Sequence, residues 1–128
     1  MDNTHFHINK AERNEQFYQA YGLGSSEFNE WAIVVLFYVS MHYVDAVLYQ
    51  DTSLPPKMRN PRDHKVRHAA ISQCSKLTRI APMYANLRDR CWEARYQIIS
   101  FPSDYLAKFE SRVFGPTKVY LRKTLGLA

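Results

Sequence analysis

The residues of this chain that are equipped for acid–base and anion chemistry fall at helical intervals. Tyr38, His42, Asp45 and Tyr49 stand at i, i+4, i+7 and i+11, so one helix carries a hydroxyl, an imidazole, a carboxylate and a second hydroxyl along one stripe. His64 and Arg67 follow on a second helical pattern, and Tyr84, Arg95 and Tyr96 on a third. Brought together, Tyr38, His42, Asp45, His64, Arg67, Tyr84, Arg95 and Tyr96 form one polar pocket between the second, third and fourth helices. A buried carboxylate such as Asp45 would hold one imidazole tautomer or pair with an arginine, leaving a second arginine and histidine to meet an anionic ligand. On that reading His64, Arg67 and His42 are the catalytic candidates, while Tyr38, Asp45, Tyr84, Arg95 and Tyr96 bind the ligand. The alternative is an internal network that fixes helix register, because buried polar groups must be satisfied. Exposure separates the two: an open His64 or His42 within reach of Arg67 or Arg95 favours chemistry, and burial of all four with mutual hydrogen bonds favours the network.

Other chemistries find less support. His64 and His68, at i and i+4, match a metal-chelating spacing, but no H-E-x-x-H, C-x-x-C or neighbouring carboxylate completes a set, so solvated histidines at a basic helix start are expected and no metal or cofactor is. Cys91 sits in R-C-W-E, which matches no nucleophile elbow, and reads as core filler. No glycine-rich phosphate loop is present. The nine tyrosines and seven phenylalanines are spread along the whole chain, which suits core and rim better than one base-stacking platform.

The elements that must position these groups are helices. Trp31 to Tyr49, WAIVVLFYVSMHYVDAVLY, is apolar on nearly every side, interrupted only by Ser40, His42 and Asp45, and such a helix belongs at the centre of a bundle or in a membrane. Insertion is disfavoured by His42 and Asp45, each costing about 3 kcal/mol at mid-bilayer. A first helix runs from about Asn3 to Tyr21, capped by Asn3 or Thr4, with Phe6, Lys10, Arg13, Phe17 and Ala20 along one side. Gly22 to Ser26 ends it, and Ser25 or Ser26 caps the second. Asp51 to Arg62 reads as an exposed loop. A third helix starts near Pro61 and a fourth at Pro82, the latter with Tyr84, Leu87, Arg88, Cys91, Arg95 and Ile98 on one face. A fifth, Ser103 to about Leu125, must kink or divide at Gly115-Pro116. The expected fold is an all-α, up-and-down bundle of four to five helices in one domain, residues 1–128, with Trp31, Val34, Leu36, Phe37, Val44, Ile71, Leu87 and Ile98 in its core.

A chain of 128 residues with 46% hydrophobic and 23% charged residues is long enough to bury a core without staples. Two cysteines at no metal spacing, and no basic-then-apolar leader in the first thirty residues, predict a cytoplasmic protein without a membrane span. The net charge of +5 is uneven: residues 1–56 hold two basic and seven acidic side chains, residues 57–95 ten basic and three acidic. The basic middle would attract phosphate, nucleotide or RNA, or pair with the acidic first third of a second copy.

The order A-E-x-N-E-x-F (Ala11 to Phe17), W-A-I-V-V-L-F-Y-V-S-M-H-Y-V-D-A-V-L (Trp31 to Leu48), H-x-x-R (His64 to Arg67) and A-R-Y (Ala94 to Tyr96) resembles the small prokaryotic HEPN-domain proteins over roughly residues 5–100. The resemblance implies an up-and-down helical bundle, usually a homodimer, in a family that includes nucleotide-binding modules, RNases and defence toxins. Its nuclease signature, an Arg followed after four to six residues by a His near the start of the last core helix, is not met there: no histidine follows Arg88, Arg90 or Arg95. Arg59 to His64 and Arg62 to His68 match the spacing, but before or at the start of the third helix. The resemblance therefore implies a non-catalytic module that binds nucleotide, RNA or a protein partner. The alternative is a metal-independent endoribonuclease of the toxin–antitoxin type, in which an imidazole deprotonates the 2′-hydroxyl and an arginine stabilises the phosphorane.

Overall fold

Helix α1 (Asn3–Ala20) lays Thr4, Ile8, Ala11 and Tyr18 against the core in the computed structural model of the chain, which describes residues 3–23 and 27–127. The side that carries Phe6 and Phe17 faces away, these rings being 44% and 47% exposed. Ala11, wholly buried, is small enough to let α1 close on its neighbour, and the spacing 4, 8, 11, 18 keeps that seam straight. Gly22, with φ of +59°, ends the helix in a conformation that glycine adopts without cost. Ser25 and Ser26, expected to cap the next helix, lie outside the described residues.

Helix α2 (Asn29–Gln50) follows Phe28. It is the centre of the molecule: Ile33, Leu36, Phe37, Val39, Tyr43, Val44, Val47 and Leu48 are all buried. Trp31 is not: Asn29, Ala32 and Ile33 of the same turn are buried, and the indole, on the outward side of that turn, is 56% exposed. By length and composition α2 is the one helix among the described residues able to cross a membrane, and most of its apolar surface is buried inside the bundle.

The expected loop after α2 contains a one-turn helix α3 (Pro56–Arg59), begun by Pro56 and held where Arg59 donates to the Tyr49 carbonyl at 3.0 Å. Helix α4 (His64–Gln73) starts three residues later than Pro61, since the Asp63 carboxylate accepts the Val66 N–H at 2.8 Å and sets the first turn. A short 3₁₀ turn, Thr78–Ile80, leads into helix α5 (Ala81–Tyr96), with Pro82 in its first turn as expected. Ile98 lies beyond its end and is fully exposed: Asn29 Nδ2 donates to the Phe101 carbonyl at 2.6 Å and draws the chain back across α2.

Helix α6 (Ser103–Phe109), one wide π-helical turn (Glu110–Phe114) and helix α7 (Gly115–Thr124) form one continuous rod. Pro116 has no N–H to give and crowds the carbonyl one turn back, so the helix widens and the Gly115 N–H reaches the Glu110 carbonyl. The expected kink is thus absorbed as a wide turn one residue before the proline. A Cβ on Gly115 would sit 2.9 Å from that carbonyl oxygen. Gly115→Ala should therefore destabilise by about 1–2 kcal/mol in urea melts, the clash exceeding the helix-propensity gain of alanine.

Residue pairs fix the directions. His7 meets His42 and Arg122 meets Tyr43, while Tyr18 bonds Glu110 and Lys118 pairs with Glu15, so α1 runs antiparallel both to α2 and to the α6–α7 rod. Helix α5 packs along α2, with Tyr84 against Phe37 and Arg95 on Tyr38. The chain is an all-α helical bundle with no strand among the described residues.

Candidate functional site

The residues singled out in the sequence separate into three places. In the interior lies the Asp45–Arg67 pair. Arg67 Nε donates to Asp45 Oδ1 at 2.7 Å and Nη2 to Oδ2 at 3.0 Å, with the side chains 4% and 7% exposed. Asp63 makes this possible from a distance, because capping α4 there places Arg67 one turn in and facing α2. The rest of the guanidinium is also engaged: Nη2 reaches the Pro61 carbonyl at 3.3 Å and Nη1 lies 3.4 Å from His64 Nδ1. Burial pushes the Asp45 carboxyl up, and the Arg67 hydrogen bonds and charge pull it back. Burial works against the Arg67 charge, but the Asp45 hydrogen bonds and charge outweigh it and raise the guanidinium further. Tyr84 is buried beside the pair, its hydroxyl without a hydrogen-bond partner among the described residues, and burial pushes that hydroxyl upward.

The second place is an open cleft of about 660 Å³ between α4 and α5, lined by His64, Arg88, Asp89, Trp92, Arg95 and Tyr96 over a floor of Phe37 and Cys91. Arg95 donates to the Tyr38 hydroxyl at 3.0 Å and stands 4.9 Å over the Tyr96 ring, whose neighbour Trp92 is 5.9 Å away. Arg88 reaches His68 Nδ1 at 3.3 Å and Asp89 at 3.2 Å. His64 is exposed. Partial burial, then the Arg67, Arg88 and Arg95 charges, hold its imidazole below the ordinary histidine range, so it is neutral at pH 7. The Cys91 thiol is pushed up to about 11 by burial, which leaves it protonated and unreactive.

The third place is on the α1 side of α2, where His42 Nδ1 lies 3.1 Å from His7 Nδ1 with the rings stacked. The single pocket expected from the sequence is therefore divided. His64, Arg95 and Tyr96 share the cleft and Tyr38 braces its rim, whereas Asp45, Arg67 and Tyr84 lie behind it and His42 faces elsewhere. The stripe on α2 is shared out among its neighbours: Tyr38 meets Arg95 of α5, while one turn on His42 meets His7 of α1, within 4.8 Å of the Asp45 carboxylate.

Sequence reasoning missed Trp92 and His7 as site residues and placed Arg88 only on a helix face. Arg88, Trp92, Arg95 and Tyr96 stand at i, i+4, i+7 and i+8, a legible stripe of alternating cations and rings. His7 carries no comparable signal, being 35 residues from its partner. No family model, no curated protein and no solved structure matches this chain.

Proposed function

We propose that the protein is a HEPN-like, non-catalytic binding module whose α4–α5 cleft takes a phosphorylated ligand with a flat ring, a nucleotide or a stretch of single-stranded RNA. The observation that carries this reading is the cleft wall itself, where Arg88 and Arg95 alternate with Trp92 and Tyr96 on one side of α5. Guanidinium forks suit phosphate and indole and phenol rings suit bases, so one stripe supplies both halves of nucleotide recognition. The adjoining basic segment, ten basic to three acidic side chains over residues 57–95, extends the attraction along the surface. The same reading implies a cytoplasmic homodimer and leaves room for a protein partner.

Binding of labelled single-stranded RNA and of a nucleoside triphosphate, followed by fluorescence anisotropy at several salt concentrations, tests it. Affinity should fall steeply with salt, and Arg95→Ala and Trp92→Ala should each cost about 1–3 kcal/mol of binding. Unchanged affinity in both variants would refute the assignment.

One observation favours the endoribonuclease reading as the second: His64 is an exposed, neutral imidazole in a cleft with two arginines, the form a general base requires. On that reading purified protein cuts single-stranded RNA in excess EDTA, and His64→Ala abolishes cutting while the melting temperature stays near wild type.

A further inference from the structure

His7, His42 and Asp45 offer two imidazole nitrogens and a carboxylate oxygen within 4.8 Å of one another, on two helices that pack face to face. We propose that these three side chains bind one divalent transition-metal ion of the zinc class. Two imidazoles on one such ion, each at about 2.0–2.1 Å, have their nitrogens roughly 3.0–3.4 Å apart. The His7 and His42 Nδ1 atoms already stand at 3.1 Å. Donors to one ion cannot lie more than about 4.2 Å apart, so it is the half-buried imidazoles that must close on the carboxylate that Arg67 fixes.

The chemistry of the donors agrees with the geometry. Two imidazoles and a carboxylate form a borderline ligand set that suits zinc, cobalt or nickel better than magnesium or calcium. Burial lowers both histidines, His42 to about 4, so both are neutral and ready to coordinate at pH 7. Asp45 retains lone pairs after accepting Arg67 at 2.7 and 3.0 Å, and that pair holds the carboxylate in place as a hydrogen-bonded outer partner does in metal centres. His7 and His42 are only half-buried, which gives an ion a path in and leaves a coordination position for water. Lys10 and Arg67 are the cations that face the pair, and their repulsion sets the affinity below that of closed four-ligand zinc sites. An ion here would tie α1 to α2 directly behind Arg67, so the site adds to the bundle and is separate from the cleft.

The test uses the full chain, stripped with a chelator and titrated with Co²⁺, whose visible absorption reports imidazole and carboxylate coordination, followed by displacement with Zn²⁺. One ion per chain and a raised melting temperature are expected. His7→Ala and His42→Ala should each weaken binding at least about tenfold, whereas His68→Ala should leave it unchanged. Absence of a Co²⁺ spectrum at high micromolar ion would overturn the proposal, and so would undiminished binding in His7→Ala. Should His42→Ala fail to fold, His7→Ala, at a half-buried position near the start of α1, decides the matter alone.

Discussion

Replacing Arg67 by alanine should lower the stability of the fold by about 3–5 kcal/mol, because the Asp45 carboxylate would be left charged and unpaired in the interior. Both members of the pair are almost wholly inaccessible, and the guanidinium makes two hydrogen bonds to Asp45 and one to the Pro61 carbonyl. Removing the fork takes all of these away at once. Replacing both partners with apolar side chains of similar size, Asp45→Leu with Arg67→Met, should recover most of the loss, since a buried ion pair contributes little beyond satisfying itself. Urea melts of the single and double variants give the coupling energy. A wild-type melting temperature in Arg67→Ala, with RNA or nucleotide binding abolished, would reverse the assignment and make Arg67 a ligand contact.

Acid should weaken the metal-free bundle through His42. Its folded-state pKa is held at about 4, by burial first and then by the charges of His7, Lys10 and Arg67, against 6.5 as the ordinary value. Below about pH 6.5 the unfolded chain takes up a proton that the folded chain refuses, so stability is complete above that pH and is lost as pH falls toward 4. Because the imidazole is only part-buried, solvent screens it and the loss is well below what the full shift would give. His7 is displaced in the same direction by burial and adds to the slope. Urea melts in chelator at about pH 7, 5 and 4 should show a flatter acid limb in His42→Gln than in wild type. Subtracting the two curves removes the carboxylates common to both. Parallel limbs would mean that His42 charges freely in the folded state and that the His7–His42 contact is open to water.

By itself the sequence determined the elements that carry the site. The apolar run from Trp31 to Tyr49 demanded a buried helix, and Pro82, Phe101-Pro102 and Gly115-Pro116 marked where later helices begin, end or deform. The choice of Asp45 and Arg67 as functional or structural polar residues was legible because a carboxylate amid that run requires a cation. What the sequence did not contain was the rotation of each helix about its axis. On α1 the sequence put Phe6 and Phe17 along one side without saying which side is buried, and the structure buries the other, with Ile8, Ala11 and Tyr18. Trp31 and Ile98 are apolar in type, yet Trp31 sits on the outward side of a turn whose Ala32 and Ile33 are buried, and Ile98 lies past the end of α5. The division of the polar stripe is likewise tertiary: Arg67, arriving from α4, takes Asp45, and His7, arriving from α1, takes His42. A side chain's partner is chosen by which helix face comes nearest, and helical periodicity fixes neighbours only within one helix.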